Sequence, residues 1–295
     1  MMPAPRFSVI VPVYNRAATV LPTLESVRDQ TFRDLECIVV DDGSADGEEL
    51  KAVVEELNDP RFRYVRRENG GGSAARNTGI DEAEGEFVAF LDSDDRWLPE
   101  KLKRDVEPCG EDRVIFSPVL VERGGRVVGQ RPKSAPRAGE PIAEYLACRG
   151  GFTPTSTIAL STDLARKVRF DEAIPFGQDT DFAIRLAGTD AEFQMLPSPS
   201  AVMLDDETGD RVSRSRDWRQ VLAWADRRRS TLGERAYYGF RGWHIARMAA
   251  DGGNYGSAFV LYIPAVAKGA LSPLLAAKAL GQILIRRSVY SRLRY

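Results

Sequence analysis

Histidine, cysteine and long apolar runs are scarce in this chain, and each shortage excludes some chemistry. A single histidine, His244, stands among 295 residues. A multi-histidine zinc site is therefore out of reach, and a Ser-His-Asp or Cys-His enzyme would have to rest on this one residue. No GxSxG accompanies it, so His244 reads as a core or surface residue. The three cysteines, Cys37, Cys109 and Cys148, lack metal-ligand or redox spacing, which suits free buried thiols in a reducing compartment. No segment reaches the roughly 20 apolar residues needed to span a bilayer. The nearest, Ser257 to Ala267, is short and contains Pro264. The opening MMPAPRFSVIVPVYN has no basic n-region, so a signal peptide is not expected. The expectation is a cytoplasmic protein, at most peripheral on the inner face of the plasma membrane. A net charge of −2 gives no sign of bulk nucleic-acid binding.

What is present is an ordinary globular composition, 43% hydrophobic and 28% charged, in a chain long enough for one large domain or two smaller ones. The first hundred residues alternate between strand and helix patterns. Phe7–Val13 is a short, almost entirely apolar run that reads as a strand, and strands are read also at Leu35–Val40, Phe62–Arg66 and Phe87–Leu91. Helical patterns lie between them at Thr19–Gln30, Gly47–Asn58 and Ser73–Ala83. This alternation predicts an α/β fold with a parallel, doubly wound sheet. Val114–Val121 and Arg126–Gly129, joined through Gly124-Gly125, read as a β-hairpin. Helix and strand pieces continue to about Leu204, and from Arg216 onward the pattern is helical. A boundary near 215 divides residues 1–215 from a helical C-terminal region, 216–295.

Ligands of doubly wound sheets bind beyond the carboxyl ends of the strands, so the residues just after each strand matter most. Tyr14 and Asn15 follow the first strand, Asp41, Asp42, Gly43 and Ser44 the second. After the fourth comes AFLDSDDRW, in which Asp92, Asp94 and Asp95 crowd the end of an apolar run. Adjacent carboxylates raise the cost of one another's ionisation. Either this is a solvated turn, or a hard divalent cation neutralises the cluster. A ring, two acidic clusters and one sheet edge together suit a nucleotide with a metal-bound diphosphate. The stretch NGGGSAARNTG (69–79) satisfies a loose dinucleotide fingerprint through Gly70, Gly72 and Ala75. It follows the third strand rather than the first and stands four residues beyond it, so it reads instead as a loop entering a helix, with Arg76 and Asn77 directed into the same cleft.

VPVYN (11–15), VVDDGS (39–44), NGGGSAARNTG (69–79) and FLDSDDRW (90–97) resemble, in order and spacing, family 2 glycosyltransferases of the GT-A fold. GQDTDF (177–182) resembles the family's ED-type motif, with Gln178 in place of the usual acid. The resemblance covers about residues 6–215. It implies inverting transfer from a nucleotide sugar, UDP-linked, to a hydroxyl of a glycan or lipid-linked acceptor in surface polysaccharide synthesis. Pro12 and Tyr14 would flank the base beside Asn15, and Asp42 with Asp41 would bind uracil or ribose. Arg76 would lie on the donor side, and Asp92 and Asp94 would form the DxD. Asp94 would ligate Mn²⁺ or Mg²⁺, Asp92 would sit nearer the ribose, and Asp95 would assist. Asp179 would be the general base, with Asp181 the alternative. Many relatives place a metal- or diphosphate-binding histidine after the base; TGDRVS (208–213) has none, which leaves Arg211, Ser213 or Arg214 for the pyrophosphate.

Two other readings accompany this one. A non-catalytic nucleotide-sugar-binding protein is suggested by Gln178 and the missing histidine. A sugar nucleotidyltransferase needs a Gly- and Arg-rich loop after the first strand, and PVYNRAATV has no glycine. The region Pro264–Tyr295 carries six basic residues and no acid, with Leu274, Leu275, Leu280, Ile283, Leu284 and Ile285 as apolar surface. This fits a membrane-surface contact, a homodimer contact or packing on the catalytic region.

Overall fold

Strand β1 (Phe7–Val13) is an interior strand of the larger sheet, and six of its seven residues are buried. β2 (Leu35–Asp41) runs parallel to it and is buried throughout. A strand with no exposed side must be covered on both faces, and an unbroken apolar run is its signature. In the computed structural model, which describes residues 4–174, 177–205 and 217–285, helices supply that cover. They are α1 (Leu21–Arg28), α2 (Gly47–Glu56) and α3 (Gly72–Glu82), each following a strand of the series β1, β2 and β3 (Phe62–Arg66). All four strands and three helices expected from the first hundred residues form, with ends displaced by at most a few residues.

Beyond Phe90 the structure departs from an all-parallel sheet. β4 (Phe87–Phe90) pairs parallel with β1, but its other neighbour, β9 (Ala159–Ser161), is antiparallel. β9 also runs antiparallel to β6 (Arg113–Phe116), which pairs parallel with β10 (Glu192–Met195). The strand order is β10-β6-β9-β4-β1-β2-β3, so the sheet is mixed. The expected hairpin is also corrected. Its first strand breaks at Ser117-Pro118 into β6 and β7 (Val119–Arg123), and only β7 pairs with β8 (Arg126–Arg131) across Gly124-Gly125. β7 belongs to a second, four-stranded sheet ordered β5-β11-β7-β8, with β5 at Asp95–Trp97 and β11 at Ala201–Leu204.

Helices α4 (Lys101–Asp105), α6 (Thr162–Val168) and α7 (Gln178–Ala187) complete this first unit. Phe90, Phe170 and Phe182 lock β4 to α7: the rings of Phe170 and Phe182 stack at 4.0 Å, and Phe90 meets both edge-on. Such aromatic pairs contribute about 0.5–1.5 kcal/mol each beyond their burial.

The second unit is discontinuous. It combines residues 134–152, which contain α5 (Ile142–Arg149), with the C-terminal residues from 210. A single cut near 215 therefore does not describe the division, and that boundary itself lies outside the described residues. The C-terminal elements are α8 (Trp218–Arg227), α9 (Arg229–Gly239), a π-helical turn at Phe240–Ile245, α10 (Ala246–Asp251), α11 (Tyr255–Ala267) and α12 (Pro273–Leu284). α5 packs on α9 so closely that a Cβ on Gly239 would sit 2.7 Å from the Cys148 Sγ. Trp243 Nε1 donates to Gln282 Oε1 at 3.0 Å, and the Tyr262 hydroxyl donates to the Ala276 carbonyl at 2.9 Å, joining α12 to its neighbours. His244 packs against Trp243 and Phe240.

Candidate active site

Strand register places the site. Val13 pairs with Asp41 and Ile10 with Phe90, so β1, β2 and β4 end within a few residues of the same level. Tyr14, Asp42 and Asp92 leave the sheet there. Pro12 sits in β1 without losing a ladder bond. Even-numbered residues of β1 direct their backbone toward β4, as the 3.0 Å bond from the Leu91 N–H to the Ile10 carbonyl shows. Pairing with β4 reaches only Ile10, so the missing N–H of Pro12 leaves no acceptor stranded. The Tyr14 ring beyond it is half-exposed, with 51% of its surface open.

The two aspartates after β2 have different surroundings. Asp41 is fully buried. Its carboxylate accepts from the Ser44 N–H at 2.8 Å, the Tyr64 hydroxyl at 2.6 Å and Arg66 Nη1 at 2.8 Å. Burial alone would raise this carboxyl, but the bonds from Ser44 and Tyr64 and the Arg66 guanidinium hold it below its ordinary value. Asp41 is thus a strut beneath the loop. Asp42, also buried, accepts from the N–H groups of Gly70 and Gly71 at 3.0 and 2.7 Å, and its own carbonyl accepts from Asn69 Nδ2. Those bonds fix the glycine-rich stretch against the turn after β2. Gly43 makes that approach possible: its φ is +73°, and a Cβ there would lie 2.7 Å from the Asn69 nitrogen. Asn15, with φ at 51°, ties the loop after β1 to the same turn, receiving the Ala45 N–H on its Oδ1 and donating its own N–H to Ser44 Oγ.

Arg76 connects the remaining parts. It lies on the first turns of α3, over the Phe170 ring at 5.3 Å. Nη2 donates to Asp92 Oδ1 at 2.5 Å, and Nη1 donates to Gln178 Oε1 at 2.9 Å. One guanidinium therefore spans the strand-end acid and the start of α7. With glutamine at 178, the acid that Arg76 meets among the described residues is Asp92, and its other bond is to a neutral amide. Asn77 does not join it. Successive helix positions diverge by about 100°, and Asn77 is buried, clipped to the Phe170 backbone at 3.0 and 2.8 Å and to Glu172 at 2.7 Å.

The three acids of AFLDSDDRW also separate. Asp92 faces Arg76, and Asp94 pairs with Arg16 at 3.3 Å, each carboxylate about a third exposed. Asp95 turns inward at the start of β5, is 6% exposed, and receives the Ser156 hydroxyl at 2.5 Å. It braces the turn and stands apart from the open pair. Arg16 is a functional candidate that sequence reading missed; only its contact with Asp94 singles it out.

On α7, Asp179 occupies the first turn and is half-buried, with Oδ1 accepting the Thr180 N–H at 2.7 Å. Asp181 is fully buried and bound to Arg185 Nε at 2.6 Å. Two residues apart on a helix is about 200° of rotation, which explains why only one of them reaches the open side. Arg211, Ser213 and Arg214 lie outside the described residues.

Among the described residues no group of three or more His, Cys, Asp or Glu is poised to hold a metal. Asp92 and Asp94 nevertheless offer hard oxygens at one strand end. Mg²⁺ commonly takes one or two protein carboxylates and completes its shell with phosphate and water, so the donor set fits a cation delivered with a diphosphate.

Comparison with known proteins decides the family. The model of Glycosyl transferase family 2 matches residues 8–169. This chain belongs to that family. As a family 2 glycosyltransferase it is 37% identical over 205 residues to the amylovoran biosynthesis glycosyltransferase AmsB of Erwinia amylovora, covering 66% of this chain and 68% of AmsB. It is 38% identical over 128 residues to the GalNAc(5)-diNAcBac-PP-undecaprenol beta-1,3-glucosyltransferase of Campylobacter jejuni, covering 42% and 41% of the two chains. Three uncharacterised Rickettsia glycosyltransferases are matched over only 17–18% of their length. The fold is shared with S. aureus TarS in complex with UDP-GlcNAc, with a TM-score of 0.62, 24% identity and coverage of 86% of this chain and 73% of TarS. It is shared too with the mannosyltransferase PcManGT of Pyrobaculum calidifontis in complex with GDP-Man and Mn²⁺, with a TM-score of 0.61, 21% identity and coverage of 96% and 81%.

Proposed function

We propose that this glycosyltransferase moves a sugar from a UDP-sugar to a hydroxyl of a glycan or lipid-linked acceptor, with inversion, during assembly of a surface polysaccharide. The observation that carries the reading is the convergence of Tyr14, Asp42, Arg76, Asp92 and Asp94 at the ends of β1, β2 and β4 and the start of α3. The Tyr14 ring offers a stacking face for the base. Asp42 keeps the loops after β2 and β3 together around uracil and ribose, with Asp41 supporting it from below. Arg76 presents positive charge toward the diphosphate. Asp94 and Asp92 would hold Mn²⁺ or Mg²⁺, which when bound stabilises charge on the departing diphosphate.

Asp179 is assigned as general base. The acceptor hydroxyl oxygen bonds to the anomeric carbon from the face opposite the diphosphate. Its proton passes to the Asp179 carboxylate, and the electron pair of the broken C–O bond leaves with UDP. The burial of Asp181 and its bond to Arg185 support Asp179 over it.

The experiment is UDP release from a panel of UDP-sugars with Mn²⁺ or Mg²⁺, for the wild type and Asp94→Ala. Release with one sugar, depressed about 10²–10³-fold in the variant, supports the reading. Donor binding by the wild type, without turnover in the presence of candidate acceptors, favours the non-catalytic alternative. No binding of any UDP-sugar rejects the donor site.

A further inference from the structure

The outward face of a surface helix is normally polar; that of α11 is not. The 13 residues Tyr255–Ala267 contain no charged side chain. Ala258, Leu261, Tyr262 and Ala265 are buried inward. Val260, Ile263 and Val266 recur at helical spacing on the other side and are 68%, 59% and 42% exposed. On α12, Leu274 is 82% exposed and Leu284 59% exposed. With Tyr255, these two helices supply six of the ten exposed large apolar residues among the described residues. Such concentration marks an interaction surface and not scattered surface leucines.

Charge indicates the partner. Asp251 is the last acid, and residues 252–295 carry six Lys or Arg and no Asp or Glu. Lys268 and Lys278 are exposed on the described part of this stretch; Arg286, Arg287, Arg292 and Arg294 lie beyond the described residues. Glu234 faces Lys268 from α9 and pairs with Arg229 as well. No helix is long and apolar enough to cross a membrane among the described residues. At about 1.5 Å per residue α11 spans about 20 Å, short of the roughly 30 Å hydrocarbon core. We infer that the outer face of α11, with Leu274, lies in the headgroup region of an anionic lipid bilayer, held by apolar burial and by the surrounding cations. This is interfacial docking, in which both contributions are needed for stable binding. It does not depend on the donor sugar or on Asp179.

The test is flotation of the full chain with phosphatidylcholine vesicles, with and without phosphatidylglycerol, for the wild type, Val260→Glu/Ile263→Glu and Ile263→Leu. The wild type should float with the anionic vesicles and stay behind with neutral ones. The double variant should lose at least about tenfold in vesicle affinity, while Ile263→Leu keeps it. Helical circular dichroism and the thermal midpoint of each variant establish that it is folded. Wild type that fails to bind anionic vesicles, or a folded double variant that binds equally well, overturns the proposal. So does a wild-type dimer that the double substitution turns into a monomer without any lipid binding, since the face then belongs to a second copy of the chain.

Discussion

Adjacent acids with the same letter have different work in this chain, and only tertiary surroundings separate them. Asp179 and Asp181 make the sharpest pair. Asparagine at 179 removes a proton acceptor from a half-open position. The expected result is a fall in transfer rate of about 10²–10⁴-fold with UDP-sugar affinity and thermal midpoint unchanged, measured by UDP release and calorimetry. Asparagine at 181 instead removes the buried charge that meets Arg185 Nε, although the guanidinium keeps its bonds to the Val168 and Arg169 carbonyls. Losing a charge-assisted bond of this kind costs about 1–3 kcal/mol, so Asp181→Asn should show a lowered urea midpoint before any kinetic defect. The reverse pattern would exchange their roles. Asp41 and Asp42 were equally legible as a strand-end pair, yet the partners that take Asp41 into the interior, Tyr64 and Arg66, come from β3. Nothing at positions 41 and 42 announces that. Arg76 was legible because it stands in a patterned stretch, and Arg16 was not, because a lone arginine after a strand has no local signature.

At the scale of elements, the alternation of strand and helix patterns specified β1 to β4 and α1 to α3, because β1, β2 and β4 are buried almost throughout and β1, β2 and β3 pair in sequence order. Legibility ends where pairing becomes remote. An apolar run has the same appearance whichever way it points, so the antiparallel insertion of β9 was not visible. Val114–Val121 gave no sign that Pro118 sends its two halves to different sheets. The turn between β2 and α2 yields a pH prediction. The Asp41 carboxyl sits below its unfolded value, near 3.9, so its contribution to stability is complete above about pH 4 and disappears as pH falls through the depressed folded value. Urea midpoints measured from pH 6 down to 3 should show an acid loss in the wild type that is smaller in Asp41→Asn. Identical profiles would remove Asp41 from the role of strut. Arg76 depends on an element as well: Phe170→Leu takes away the ring beneath the guanidinium and should weaken UDP-sugar binding more than Phe182→Leu, by titration calorimetry at matched folded fraction.

For the whole molecule, the cysteines report on cohesion of both units. Burial pushes the thiols of Cys109 and Cys148 up to about 12, and Cys37 higher. Cys37 lies in β2 of the first unit and Cys148 in α5 of the second. Thiolate is the reactive form, so alkylation of both at pH 8 should be more than about a hundredfold slower than for a free thiol and should rise together with global unfolding. Fast labelling of Cys148 alone would mean that the second unit opens independently. The sequence located the cysteines and their buried character, but not the membership of α5, whose contacts with α9 lie some eighty residues ahead. That separation has a consequence during synthesis. α5 emerges from the ribosome well before α9, and at about 5–20 residues per second the intervening chain takes several seconds to follow. Over that interval Cys148 and the side of α5 that packs on α9 have no α9 to meet. The nascent chain therefore carries an open hydrophobic surface in its middle while the first unit is still being completed, which makes this segment the natural point for chaperone engagement and the stretch most sensitive to the pace of translation.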